Sequence, residues 1–144
     1  EANTRIEHRI AGADANIYLV TAAARSVRAW VYHKRQSDRL AYTQGKLRVV
    51  LYDLRPDSPT HRRWQGFDLS AEDGAMLYVP AGFAHGFITL TDDAHVTYQV
   101  SHPYTPGAEG GLRWDDPAIG IRWPLMPTVI SDKDAAWPLL GVAA

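Results

Sequence analysis

The chain contains no cysteine, so disulfides, thiolate catalysis and zinc sites built on sulfur are all excluded. It also lacks a strong excess of charge of either sign. The formal net charge is -1, so no overall field attracts nucleic acid or an anionic membrane. No apolar run is long enough to cross a bilayer, and no signal-peptide pattern opens the chain. We therefore expect a cytoplasmic protein with neither nucleic acid nor membrane as a partner.

Internal repeats, low-complexity segments and linkers are missing as well. With 144 residues, 46% of them hydrophobic and 22% charged, the chain has the size and composition of one globular domain. We therefore predict a single domain over residues 1–144. The glycines of "GAEGG" have neither the spacing nor the context of a dinucleotide fingerprint, and the sequence has no phosphate-binding P-loop.

Short stretches rich in β-branched and aromatic residues alternate with turn signals along most of the chain. This pattern predicts an all-β sandwich or barrel. The predicted strands cover residues 16–21, 27–33, 39–44, 47–54, 64–70, 75–80, 86–90 and 95–101. The Pro/Gly-rich segment 103–127 is predicted to form a long ordered loop over one end of the barrel. One short helical turn is predicted near the C-terminus, capped by Ser131 or Asp132 and stopped by Pro138.

A motif in the second half, Gly74-x5-Pro80-x-Gly82-x2-His85, links a predicted turn to a histidine. Pro80 and Gly82 favour a tight turn between two apolar strands. His85 then falls at the start of the second strand, where an imidazole beside a rigid wall is easily tuned by its surroundings. The alternative is a surface turn with an incidental histidine.

A second motif, Val31-x-His33-x4-Asp38-x6-Gly45, resembles the pattern of the cupin superfamily, whose fold is a small antiparallel β-barrel. Val31 stands where that pattern has its first histidine, and Asp38 stands where it has glutamate. Residues 31 and 33 of a strand share one face. His33, Asp38 and His85 together also resemble a facial metal set of two histidines and one carboxylate, which suits iron, manganese or zinc. We keep that set as an alternative and expect a site without metal or cofactor.

Longer segments carry a narrower resemblance. The chain resembles the dTDP-4-dehydrorhamnose 3,5-epimerase family from about Val27 to Leu140, with the most specific segments being "PAGFAHGF" and "WDDPAIGIRWP". The resemblance implies a cupin-like jelly-roll barrel, a homodimer, and an isomerase that acts on a dTDP-linked 4-keto-6-deoxyhexose in deoxysugar or polysaccharide biosynthesis. In such a reaction a base removes a proton next to the ketone, an enolate forms, and an acid returns a proton to the other face.

The resemblance also implies roles for individual residues. Tyr98 matches the acid, Arg28 and His85 match groups at the keto oxygen, and Asp134 matches the aspartate that supports the base. Arg28, Asp38 and Lys133 are the predicted substrate-binding residues.

The position of the family's base is occupied by Val31, which has no proton chemistry. Loss of a general base costs about two to four orders of magnitude in rate. His33 is the predicted substitute, since it lies on the same strand face; the alternative is a hydrogen-bonded interior histidine. The leading hypothesis is therefore an epimerase with a changed base. A degenerate sugar-nucleotide-binding protein and a metal-dependent cupin enzyme acting on another small substrate are its alternatives.

Overall fold

The structure, a computed structural model, describes residues 4–11, 16–22, 25–102 and 107–141. Almost all regular structure in these ranges is β-strand, as the alternating apolar pattern predicts. The strands are β1 Thr4–Ala11, β2 Asn16–Ala22, β3 Ser26–His33, β4 Asp38–Gln44, β5 Lys46–Asp53, β6 Trp64–Ser70, β7 Met76–Val79, β8 Phe83–Thr89, β9 Ala94–Val100, β10 Glu109–Gly111 and β11 Val129–Ile130. A 3-10 turn covers Ala71–Asp73, and helix α1 covers Asp132–Ala136.

The strands form two sheets. The five-stranded sheet has the order β1-β2-β9-β4-β7, and the six-stranded sheet has the order β10-β3-β8-β5-β6 with β11 beside β3. Every pairing is antiparallel except the short one between β11 and β3. The predicted all-β, cupin-like antiparallel architecture is thereby confirmed, as two facing jelly-roll sheets that do not close into a full barrel.

Two apolar layers hold this architecture together. The first lies between the sheets and includes Leu40, Tyr42, Val49, Phe87 and Val96. The second lies on the other face of the six-stranded sheet and includes Val27, Trp30, Tyr52, Ile88 and Leu112. The six-stranded sheet is therefore buried on both faces around β3, β5 and β8.

The predicted loop after β9 lies over the outer face of the six-stranded sheet. The expectation that this loop covers one end of the barrel is therefore wrong. Ile119 and Trp123 of this loop belong to the second apolar layer, and the Trp123 ring stacks on that of Trp30 with centroids 5.5 Å apart. The physical reason is that β3 presents the apolar side chains of Val27, Trp30 and Tyr32 on this outer face. Trp30 is fully buried, and Trp123 of the loop covers its ring.

The turn between β7 and β8 is found where Pro80 and Gly82 predict it. Gly82 has φ +87°, a left-handed conformation that favours glycine. Its amide donates to the carbonyl of His33 at 2.8 Å, and its carbonyl accepts from the amide of Leu54 at 3.1 Å. Strand β8 begins at Phe83, earlier than predicted, so His85 lies within the strand and not at its start.

The short C-terminal helix is also confirmed. The side chain of Ser131 caps α1 by accepting a hydrogen bond from the amide of Asp134 at 3.1 Å, and Pro138 follows the last helical turn. Strands β1, β10 and β11 lie outside the predicted set, and β10 falls within the segment predicted as a loop. Within the described ranges, neither helical element has the length and apolar character that a membrane-spanning helix needs.

Candidate active site

An irregularity in β3 decides which side chains face the space between the sheets. Arg28 pairs with Phe87 and Val31 pairs with His85, so the register shifts between these pairs. Directly paired residues of antiparallel strands project to the same face. Because of the bulge, Arg28 and Val31 both face inward, although regular alternation would place them on opposite faces. The bulge thus brings Arg28 to the same side as His85.

Gly86 allows β3 and β8 to approach closely at this point. A Cβ atom on residue 86 would lie 2.5 Å from the Cβ of Ala29 and 2.8 Å from the carbonyl oxygen of Arg28. Both distances are far below ordinary contact, so no other residue fits without moving a strand. The glycine therefore fixes the positions of its neighbours His85 and Arg28 relative to each other.

His85 faces Asp38 across the space between the sheets. The two side chains come from β8 and β4, and His85 Nε2 lies 3.6 Å from Asp38 Oδ2. Both residues are buried, with 8% and 3% of their surface exposed. Burial lowers the pKa of His85, an effect that Asp38 opposes and that His33 and Arg28 reinforce. The neutral imidazole, which can accept a proton, is therefore favoured.

The two ring nitrogens of His85 have different surroundings. Nε2 is the nitrogen that faces Asp38, whereas Nδ1 is buried and receives no hydrogen bond from any described residue. At 3.6 Å this contact is longer than a hydrogen bond, but the negative charge of Asp38 still attracts a proton on Nε2. Asp38 therefore favours the tautomer that carries its proton on Nε2 and leaves the Nδ1 lone pair unused.

His33 joins the same group of side chains through Gln36. The ring of His33 lies 6.4 Å from that of His85, measured between centroids. The amide nitrogen of Gln36 donates to Asp38 Oδ1 at 2.7 Å and lies 3.4 Å from His33 Nε2. An amide nitrogen can only donate, so Nε2 of His33 is the acceptor in that contact. Gln36 was not predicted, because a polar residue between two strands carries no distinctive sequence signal.

Tyr98 reaches this group from the five-stranded sheet. It lies on β9 and pairs with Leu40, a residue of the inner apolar layer, so its side chain also faces inward. Burial raises the pKa of Tyr98 to about 12, with Arg28 acting in the opposite direction and Asp38 adding to the rise. The phenol is therefore protonated at neutral pH and able to donate.

Asp134 completes the group from α1. Only 1% of its surface is exposed, and no described residue hydrogen-bonds to its Oδ2. Burial raises the pKa of Asp134, and the charge of Arg28 partly opposes the rise. The ring of Trp137 packs where a side chain on Gly111 would otherwise lie. Since Gly111 pairs with Val31, this packing holds the helix beside β3.

Six residues predicted from the sequence therefore come together, and we call them the interior polar cluster: Arg28, His33, Asp38, His85, Tyr98 and Asp134. Lys133 lies outside the cluster. Its side chain is exposed, forms an ion pair with Glu109, and lies 5.5 Å above the Trp137 ring. Glu109 pairs with His33 in the sheet and raises the pKa of His85, although no sequence pattern singles it out.

Metal binding was the alternative interpretation of His33, Asp38 and His85. In the part of the chain that the structure describes, no group of three or more histidine and carboxylate side chains is arranged to hold a metal ion. The contacts among these residues instead run through the amide of Gln36 and the approach of Asp38 to His85.

The cluster places a proton acceptor and a proton donor on opposite walls. His85 projects from the six-stranded sheet and Tyr98 projects from the five-stranded sheet. Arg28 supplies positive charge close to both.

Comparison with known proteins gives consistent matches. A sequence profile described as dTDP-4-dehydrorhamnose 3,5-epimerase matches residues 13–141. The dTDP-4-dehydrorhamnose 3,5-epimerase of Sinorhizobium fredii is 52% identical over 99 residues, which are 68% of this chain and 51% of that protein. The Salmonella typhimurium enzyme of the same name is 46% identical over 101 residues, 69% of this chain and 55% of that protein. The chain therefore spans about half the length of these relatives.

Solved structures give the same result. ChmJ, a 3'-monoepimerase from Streptomyces bikiniensis in complex with dTDP-quinovose, matches with a TM-score of 0.85 and 30% identity, over 90% of this chain and 68% of that one. The dTDP-4-dehydrorhamnose 3,5-epimerase from Bacillus anthracis, with TDP and PPi bound, matches with a TM-score of 0.81 and 36% identity, over 92% of this chain and 75% of that one.

Proposed function

The chain belongs to the dTDP-4-dehydrorhamnose 3,5-epimerase family, and we propose that it epimerises a dTDP-linked 4-keto-6-deoxyhexose next to the ketone, in deoxysugar or polysaccharide biosynthesis. The observation that carries this proposal is the opposed placement of His85 and Tyr98. Inversion at a carbon needs a proton removed from one face and returned to the other. An imidazole on one sheet and a phenol on the other provide for both.

The proposed reaction uses the other members of the cluster to stabilise charge. Removal of a proton beside the ketone leaves an enolate whose negative charge lies on the former ketone oxygen. The guanidinium of Arg28 is the cation within the cluster that can stabilise this oxygen. Tyr98 then donates its phenolic proton to the carbon from the opposite face. Asp134 balances the charge of Arg28 before the substrate arrives.

The base in this proposal is one of the two imidazoles, since Val31 cannot accept a proton. His33 and His85 both project from the six-stranded sheet, so either would attack the same face of the sugar. Lys133 and Asp38 are proposed substrate contacts, Lys133 at the exposed edge beside Trp137 and Asp38 inside.

Proton NMR in heavy water tests the proposal on dTDP-4-keto-6-deoxyglucose. The protein should introduce deuterium beside the ketone and form an epimer. Tyr98→Phe should slow epimer formation about 10²- to 10⁴-fold while deuterium still enters on the face from which the base acts. Tyr78→Phe is the matched control, because Tyr78 is an exposed tyrosine on β7, outside the cluster. Binding of the sugar nucleotide with no exchange at all would favour the degenerate binding protein that Val31 suggests.

The proposal includes a homodimer located in the cytoplasm. Edge strand β7 supports self-association, since it carries Met76 and Tyr78 with 61% and 51% of their surfaces exposed. Sedimentation equilibrium should give twice the chain mass of 16.0 kDa. A single-chain mass at micromolar concentration would refute the dimer.

A further inference from the structure

The interior polar cluster lies at the end of the sheets where β3 passes into β4. His33 is the last residue of β3, and Asp38 is the first residue of β4. Val31 and His33 are only half-buried, so solvent reaches the cluster at this end. Residues 34–37 join the two strands and therefore border the cluster.

The connection between β3 and β4 carries two cationic side chains. Lys34 and Arg35 are both exposed, and within the described ranges neither side chain has an ion-pair partner. Lys133 differs from them, because its charge is already paired with Glu109. We propose that Lys34 and Arg35 bind the diphosphate of the sugar nucleotide, an assignment that rests on the proposed function.

The backbone on both sides of these two cations is held in place. The carbonyl of His33 accepts a hydrogen bond from the amide of Gly82 at 2.8 Å. The amide of Ser37 donates to Ser101 Oγ at 3.0 Å, and the carbonyl of Ser37 accepts from the amide of Ser101 at 3.0 Å. A diphosphate that binds between these anchors has two side chains to order and no loop to fold, which limits the entropy lost on binding.

The position of the two cations suits a sugar nucleotide whose sugar lies in the cluster. Consecutive Cα atoms are about 3.8 Å apart, so the Cα atom of Arg35 lies at most about 8 Å from that of His33. The diphosphate of a sugar nucleotide is bonded to C1, which lies across the ring from the ketone at C4. A ketone beside Arg28 therefore leaves the phosphates outside the cluster, within reach of long side chains at its border.

The two side chains offer complementary contacts to a diphosphate. The planar guanidinium of Arg35 can donate two parallel hydrogen bonds to phosphate oxygens, whereas the ammonium of Lys34 acts as a point charge. The net charge of the chain is -1, so the attraction of an anion to this end depends on local cations and not on the overall field. Added salt should therefore weaken binding of the diphosphate.

Titration calorimetry with dTDP and with inorganic pyrophosphate tests the assignment. A double variant with Lys34→Ala and Arg35→Ala should bind both ligands about 10- to 100-fold more weakly, because hydrogen bonds to charged groups are lost. Arg35→Lys should lose part of this factor, since it keeps the charge but not the paired donors. Lys46→Ala is the matched control, because Lys46 is an exposed cation whose neighbour Leu47 pairs with Thr89, at the opposite end of β8 from His85.

The outcomes separate this assignment from the proposed function. Unchanged affinity of the double variant for dTDP overturns the assignment, and so does an equal loss in Lys46→Ala, which would show a general effect of charge. An unmodified protein that binds neither dTDP nor pyrophosphate overturns it as well. If dTDP binds through Lys34 and Arg35 but the protein exchanges no deuterium into dTDP-4-keto-6-deoxyglucose, the proposed function alone is refuted.

Discussion

Replacing Gly86 with alanine should destabilise the protein and disturb its site together. The new Cβ would lie 2.5 Å from the Cβ of Ala29 and 2.8 Å from the carbonyl oxygen of Arg28. Ordinary contacts between carbon atoms begin at about 3.5 Å, so the strands must separate by about 1 Å. Neither neighbour can yield alone, because one is backbone and the other is the first atom of its side chain.

The expected size follows from this overlap. Overpacking of this kind costs about 1 to 3 kcal/mol of folding free energy. At about 2 to 4 °C for each kcal/mol, the melting temperature should fall by about 2 to 12 °C. A displacement of about 1 Å between reacting groups can also cost about 10²-fold in rate. Both effects arise from one cause, the separation of β3 from β8.

Urea unfolding and the deuterium exchange assay measure the two effects on the same samples. Gly141→Ala is the control, since a Cβ at residue 141 meets no atom within 4 Å. If Gly86→Ala unfolds with the same free energy as the control, the close approach of the strands does not limit the choice of residue, and the reasoning is refuted. A loss of stability with unchanged exchange would separate the packing effect from the geometry of the site.

Further predictions concern carboxylates and a cap. Burial raises the pKa of Asp134 in the folded protein, so the stability that its protonated form contributes is lost as the pH rises through that raised pKa. Asp134→Asn should therefore be more stable than the unmodified protein at pH 8 but not at pH 4. Urea titrations at the two pH values measure the difference. Hydrogen bonds to Asp53, the most important of them from Arg55, hold the pKa of this carboxyl group below 3.8. The stability that the ionised Asp53 contributes is therefore lost as the pH falls through 3.8 and below. Asp53→Asn should cost about 1 to 3 kcal/mol at pH 7 and flatten the acid limb of a stability profile. Ser131→Ala should cost about 1 kcal/mol through loss of the helix cap, measured by the same titration.

Much of the fold could be predicted from the sequence because burial imposes a period of two on strands. The predicted strands all appear, with ends that differ by a few residues. β8 begins early because Phe83 and Ala84 are drawn into pairing with β5, which a glycine and proline turn signal does not reveal. The packing of the loop after β9 on Trp30 was not predicted, because the pattern of a strand does not indicate which distant loop packs on the outer face of that strand.

The sequence predicts which residues belong to the interior polar cluster, but it does not predict how their side chains are arranged. The resemblance to a family placed Arg28 near the substrate, whereas regular alternation from Val31 would have turned it to the outer face. The bulge in β3 explains why Arg28 nevertheless faces inward. It arises from the pairing of β3 with β8, and so it depends on tertiary contacts that the local sequence does not show. The contact between His85 and Asp38 joins two sheets, and no local pattern in the sequence predicts which pair of side chains will meet.

The C-terminal segment has a consequence for how the site can come apart. Asp134 is held by the cap on α1 and by the packing of Trp137 on Gly111, whereas Asp38 and His85 are held by the paired sheets. Local unfolding proceeds in units with separate free energies. A transient release of the last segment would withdraw the negative charge beside Arg28 and leave the pair of Asp38 and His85 in place. Amide hydrogen exchange in α1 would then report an opening that changes the charge within the sheets without unfolding them.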